Sequence, residues 1–213
     1  MSKMPMYAYS NRELLKFESF VEQNFGKFDS VLHEIISPDI HLDIIPVPPT
    51  DEQPFYKLVT MGAGAYKMNV PKELKGQKLE RAEYVIFLPS DWDLSSSDEK
   101  YYWAIRQLKA IARLPVNSGE WLGFGHTLSA HDDSSPVAEN TKLNSFVLLG
   151  AWGKNQKLVE PLKLGLFKQV NFYQLLPLYQ EELEFKLANS LNDLLRRFDD
   201  FSLIVDPNRK NWC

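Results

Sequence analysis

Side chains able to do chemistry are sparse in this chain, and the most suggestive pairing of them is His41 with Asp43. In Ile40-His41-Leu42-Asp43-Ile44 apolar and polar residues alternate, and a period of two puts His41 and Asp43 on one face of a strand and Leu42 with the isoleucines on the other. An imidazole beside a carboxylate can move a proton or, with a third donor, hold a metal ion, but the sequence marks no third partner. His126 and His131 with Asp132 and Asp133 gather two imidazoles and two carboxylates. Their spacing suits neither histidines on successive helical turns nor a cysteine-paired zinc motif, and predicts a solvated loop. Ser129, Ser134 and Ser135 lie outside any Gly-x-Ser-x-Gly, and the stretch from Trp121 to His126 has glycines without the lysine or spacing of a phosphate loop. The only cysteine, Cys213, allows no intrachain disulfide and no cysteine-based zinc site. The expectation is a chain with no catalytic residue, no metal and no cofactor. A metal-dependent hydrolase built on His41 and Asp43 is the enzymatic alternative.

The elements that must carry these residues follow from periodicity. Ser10-Asn11-Arg12-Glu13 has the form of a capping box, and Leu14, Phe17, Val21 and Phe25 recur behind it at helical spacing, which predicts a helix over 11–25 stopped by Gly26. Residues 31–36 read as a strand that turns through Ser37-Pro38-Asp39 and pairs with the His41 strand as a hairpin. Prolines at 46, 48, 49 and 54 remove ladder donors, so regular pairing should stop there, resume over 55–61 and end at Gly62-Ala63-Gly64. The nearly unbroken apolar run 83–88 predicts a central strand buried on both faces. Ser96-Ser97-Asp98-Glu99 forms a second capping box, and Tyr101, Ile105, Leu108 and Ala112 predict a helix ended by Leu114-Pro115. Further strands are expected over 145–152, 166–176 and 201–205, and a third helix over 181–198 along the stripe Leu183, Leu187, Leu191, Leu194 and Phe198. Strands interleaved irregularly with three helices predict an α+β or mixed α/β sandwich, a mixed β-sheet packed with about three main helices, in one domain over 1–213.

With 213 residues, 44% hydrophobic, the chain can bury a substantial core. Its formal net charge of -4 argues against a nucleic-acid partner, because neutralising phosphates needs a local surplus of Lys and Arg. No apolar run reaches the length of a membrane span, and MSKMPMYAYS lacks the core of a signal peptide. A soluble cytoplasmic protein with no membrane partner is expected.

Phe55, Tyr56, Met61, Tyr66 and Met68 are each core candidates taken singly. Together, beside glycines and prolines, they have the make-up of an adaptable protein-binding patch, since aromatics anchor and thioethers adjust. The segments IHLDIIPVPPTDEQPFYKLVTMGAGAYKMNVP, ERAEYVIFLPSDW, YYWAIRQLKAIARLP, WLGFGHT, YQLLPLYQEELEFKL and DPNRKN, in this order over roughly 30–210, resemble bacterial single-domain members of the suppressor of fused domain family. The resemblance implies a mixed α/β sandwich without known catalysis. It also implies a role as protein binder: animal relatives restrain transcription factors by gripping a short peptide, and bacterial ones are similar to immunity proteins of polymorphic toxin systems. The expected partner is therefore a toxin domain or an extended peptide, with a regulatory module of a larger assembly as a further alternative. His41, Asp43, Met61, Tyr66, Met68 and Asn69 are the expected contact residues, through strand addition at a sheet edge near the proline loop.

Overall fold

The run of β-branched and aromatic residues in Ala82–Pro89 makes β3 the middle of a mixed sheet, in the computed structural model that describes residues 6–199 and 201–213. Around it lie β1 (Asp43–Val47), β2 (Phe55–Met61), β4 (Thr127–Ser129), β5 (Ser145–Gly150), β6 (Leu162–Lys163) and β7 (Gln169–Leu178). The strand order is β1-β2-β3-β7-β5-β4, with β6 paired to β7 beside this path. Among the described strand pairs β3/β7 is parallel and the others are antiparallel.

Alternation along the strands sends side chains into two cores. Leu42, Ile44, Leu58, Tyr84, Ile86, Phe146 and Leu148 meet Trp103, Ile105, Leu108 and Ile111 of α2 (Glu99–Ser118) on one face. Ile45, Val47, Val59, Val85, Phe87, Val170 and Phe172 meet Phe17, Val21 and Phe25 around α1 (Asn11–Asn24) on the other. On that second face, further along, Val147, Leu149, Leu176 and Leu178 are covered by Leu194 of α4 (Leu191–Leu195), which follows α3 (Gln180–Ala188). This is the α+β sandwich that the pattern of elements predicts.

Several boundaries depart from expectation for identifiable reasons. The segment 31–36 is not a strand: it touches β1 through one antiparallel bridge, Leu32 to Ile44. Pairing does not stop at Pro46, which lies opposite Leu58 within β1, because β1 is the edge strand and an imino nitrogen costs nothing on its outer side. The second helix caps at Asp98, whose carboxylate accepts from Lys100 N, and not at Ser96. It also runs past Pro115 to Ser118 and is capped by Gly119, where φ is +76°, since Pro115 is buried and Leu114 and Val116 pack against the α2 core, which offsets one lost backbone bond. The helix expected over 181–198 breaks at Asn189, with φ -125° and ψ -117°, and restarts when Ser190 Oγ accepts from Asp193 N. Leu187, 65% exposed, shows that the apolar stripe was not one buried face. The strand expected over 201–205 reduces to a single bridge between Ile204 and Phe87.

Candidate functional site

The register of the first hairpin assembles the site. Folding about Pro38 sets Leu32 opposite Ile44, with their backbones exchanging bonds at 2.8 and 3.2 Å, and so brings His33 beside Asp43. Asp43 is only 4% exposed and its carboxylate is fully used. His33 Nδ1 is 3.1 Å and His41 Nε2 3.4 Å from Oδ2, while Oδ1 accepts from Glu34 N at 2.9 Å. Next to it, Ser37 Oγ donates to Glu34 Oε2 at 2.9 Å and lies 3.0 Å from His41 Nδ1. The Glu34 carboxylate in turn receives both oxygens' worth of bonding from Arg113 of α2, whose Nε donates to the buried Asp39 carboxylate at 3.1 Å. Seven side chains thus pin the loop between residues 32 and 41 to β1 and α2.

Ser37, His41 and Asp43 lie in the order of a nucleophile, base and orienting acid. Glu34 Oε2, however, competes with His41 for the one Ser37 hydroxyl hydrogen, and Asp43 is shared with a second histidine. The arrangement immobilises a loop. Among the described residues no three His, Cys, Asp or Glu side chains are grouped to hold a metal ion. What the pinned loop presents is apolar: Ile35 and Ile36 stand 98% and 78% exposed at its tip.

The other expected contact residues are dispersed. Met61, opposite Asp43, is buried in the α1 core, and Met68 is buried in the α2 core, where its Sδ accepts from Leu122 N at 3.4 Å. Tyr66 is half-buried and meets Tyr7 edge to face at 5.2 Å; Tyr7 in turn bonds the backbones of Asp39 and His41, which links Tyr66 to the pinned loop. Asn69 is exposed and donates to Gly119 O at the end of α2. The outer edge of β1 is taken at Ile44 by Leu32, and the strand's approach at His41 by Tyr7, so neither position offers a free ladder. His33, Glu34, Asp39 and Arg113 were missed from sequence, although pairing about Pro38 would have set His33 against Asp43. His126 lies in the turn before β4 against the Trp121 ring, 4.5 Å away, where burial and then Lys186 lower its pKa.

Beneath the site sits a second polar knot. Gly62, at φ +129°, ends β2 so close to the His41 carbonyl that a Cβ there would lie 1.9 Å from its oxygen. The fully buried Glu83 carboxylate receives Gly62 N and Gly64 N at 2.9 Å each, Tyr9 OH at 2.7 Å and Thr60 Oγ1 at 2.6 Å. Burial pushes its pKa up to about 6 against the pull of those four donors. At the far end of the sheet the buried Glu182 carboxylate is clamped by both terminal nitrogens of Arg209 and accepts from Tyr179 N and Trp212 N.

The family model for Suppressor of fused protein (SUFU) matches residues 38–210, which includes the His41 strand, Glu83 with its Thr60, Gly62 and Gly64 donors, and the Glu182–Arg209 pair. The chain belongs to the suppressor of fused family. An uncharacterized protein of Ureaplasma parvum serovar 3 is 29% identical over 210 residues, covering 97% of this chain and 98% of that relative. The fold is similar to that of a suppressor of fused homologue from Neisseria gonorrhoeae FA 1090, with a TM-score of 0.61 at 19% identity over 96% of this chain and 97% of that one. A chain of the Sufu-Fu complex aligns at a TM-score of 0.55 and 13% identity, covering 79% of this chain and 75% of that chain. Drosophila Suppressor of Fused aligns at 0.53 and 16% identity, with 79% of this chain covering 42% of the fly protein.

Proposed function

We propose that this member of the suppressor of fused family is a non-catalytic protein-binding module whose contact surface is the pinned loop: Ile35 and Ile36 as anchors, His33 and His41 as polar rim, and Tyr66 as its extension. The observation that carries this reading is the exposure of Ile35 and Ile36, 98% and 78%, on a loop that three carboxylates and Arg113 hold still. A preordered apolar pair loses little entropy on docking, which is what an interface anchor needs. The Sufu-Fu complex supports the general role, since a protein of similar fold is found with a protein partner. The finer reading is that the partner is a co-encoded toxin domain, neutralised in the cytoplasm by occlusion. Met61 and Asp43 lie under this surface as its support, and Asn69 is a contact only for a partner that reaches the end of α2.

The test is a pull-down of partners from the native cell, with any toxin-like protein encoded by an adjacent gene then co-expressed and read as survival and as a co-purified complex. Ile35→Ser with Ile36→Ser removes roughly 3 kcal/mol of transferable apolar surface, so affinity is expected to fall about 100-fold with the melting temperature unchanged. Full protection by that double variant would refute the placement of the surface.

A further inference from the structure

A second exposed apolar pair lies at the end of the β6–β7 hairpin, whose Leu162, Leu164 and Val170 share the buried cluster of Phe17 and Val21 of α1. Leu164 N and Gly165 N both donate to Lys168 O, at 2.9 and 3.2 Å, and close the β6–β7 hairpin so that Leu166 and Phe167 form its tip, 82% and 90% exposed. The hairpin is fastened along α1: Lys168 Nζ lies 2.6 Å from Glu13 Oε1, and Lys16 Nζ donates to Leu164 O at 3.4 Å. Beside the tip a shallow groove of about 430 Å³ runs between α1 and β6. Arg12, Lys16 and Lys163 line it with Leu15 and Phe20, and no carboxylate does. In a chain of net charge -4 this is a local excess of cations around apolar side chains.

We propose that this face is a peripheral docking site for an anionic lipid surface. Leu166 and Phe167 enter the boundary between headgroups and acyl chains, and Arg12, Lys16 and Lys163 meet the lipid phosphates. Charge complementarity selects an anionic partner. The convex tip selects a lipid interface over a folded protein, because two side chains that touch almost nothing of their own fold need no shaped cavity in a bilayer. No helix among the described residues is long and apolar enough to cross a membrane, so the contact is peripheral, and two short apolar side chains with three cations make it reversible.

The experiment is co-sedimentation of the full chain with vesicles of phosphatidylcholine alone and of phosphatidylcholine mixed with phosphatidylglycerol. Binding is expected on the mixed vesicles only, weakening as salt is raised. Leu166→Ser with Phe167→Ser should lower the partition coefficient about 10-fold or more. Lys16→Glu with Lys163→Glu should lower it by a similar factor and remove most of the salt dependence. Circular dichroism and melting curves matching the parent show that both double variants are folded. Equal binding to both kinds of vesicle, no binding to either, or unchanged partition of both variants overturns the proposal. So does loss of a protein complex in Leu166→Ser with Phe167→Ser when no vesicle binding is seen, which assigns the patch to a protein partner.

Discussion

Lys57 offers a quantitative test of how the sheet is built. It lies mid-strand in β2, opposite Val47 and Phe87, and is only 1% exposed. Its ammonium sits 4.9 Å from the centre of the Phe55 ring. Burial lowers its pKa from 10.5 to about 8. A depression of that size corresponds to roughly 3 kcal/mol by which the folded state disfavours the charged lysine. The contact with the Phe55 ring returns about 1 kcal/mol, so Lys57→Met, of similar length and shape, should stabilise the protein by about 2 kcal/mol at neutral pH. For a chain of this size that raises the melting temperature by roughly 4–8 °C. The sign of the pH dependence is equally definite. Between pH 8 and about 10 the unfolded lysine keeps a proton that the folded one has lost, so stability contributed by this group rises with pH across that window. Urea titrations of the parent and Lys57→Met at neutral pH and near pH 10 measure both effects. A methionine variant less stable than the parent at neutral pH, or a parent whose stability relative to the variant does not rise with pH, would refute the view that this ammonium is an uncompensated burden on the sheet.

The two buried carboxylates give opposite kinds of sensitivity. Glu83 has a folded pKa of about 6, above its ordinary 4.5, so the folded state holds the extra proton between those values; the stability it contributes falls by about 2 kcal/mol as pH rises through that window, a slope that Glu83→Gln should abolish in urea titrations. Glu83→Ala strands Tyr9 OH, Thr60 OH, Gly62 N and Gly64 N without their acceptor, and should cost about 4 kcal/mol at neutral pH. Arg209→Ala leaves the Glu182 carboxylate buried and uncompensated, with an expected loss of about 3–5 kcal/mol in denaturant melts, whereas Lys210→Ala next to it should cost well under 1 kcal/mol.

What the sequence made legible was set by local signals. The capping box at Ser10 and Glu13, the apolar run of β3 and the alternation through Ile40-His41-Leu42-Asp43-Ile44 each depend on neighbours in the chain, and each element formed where its signal stood, with the strand containing Asp43 and Ile44 beginning late because Tyr7 and Leu32 hold its approach by isolated bridges. The face assignment of His41 and Asp43 followed from the period of two, and Ile40, Leu42 and Ile44 do share the α2 core. Burial of Met61 and Met68 was not legible, because it depends on α1 and on Leu122, which arrive from far along the chain, and that of Asp43 because the 32–37 segment covers it as an irregular loop and not as a strand. Nor was the split between α3 and α4: the stripe of leucines masked Ser190 and Asp193, a start signal inside what read as one helix. Arg113 illustrates the hardest case, since its partners Glu34 and Asp39 lie more than seventy residues away and nothing local announces them.

The segments that carry the family resemblance and the surfaces proposed for binding are largely different parts of the chain. LPLYQEELEFKL and DPNRKN meet in the clamp of Glu182 by Arg209, and LVTMGAG closes on Glu83. These are buried polar knots, and a buried carboxylate with fixed donors tolerates little change in either partner. The two exposed apolar pairs obey no such constraint. Ile35 and Ile36 precede residue 38, where the family match begins, and Leu166 and Phe167 sit on a two-residue tip that nothing in the fold packs against. Family membership therefore follows from the frame, while both proposed contact surfaces lie on loops that the frame holds but does not dictate. A fold of this kind can keep its polar knots and change what it binds by replacing a few solvent-exposed side chains at almost no cost in stability.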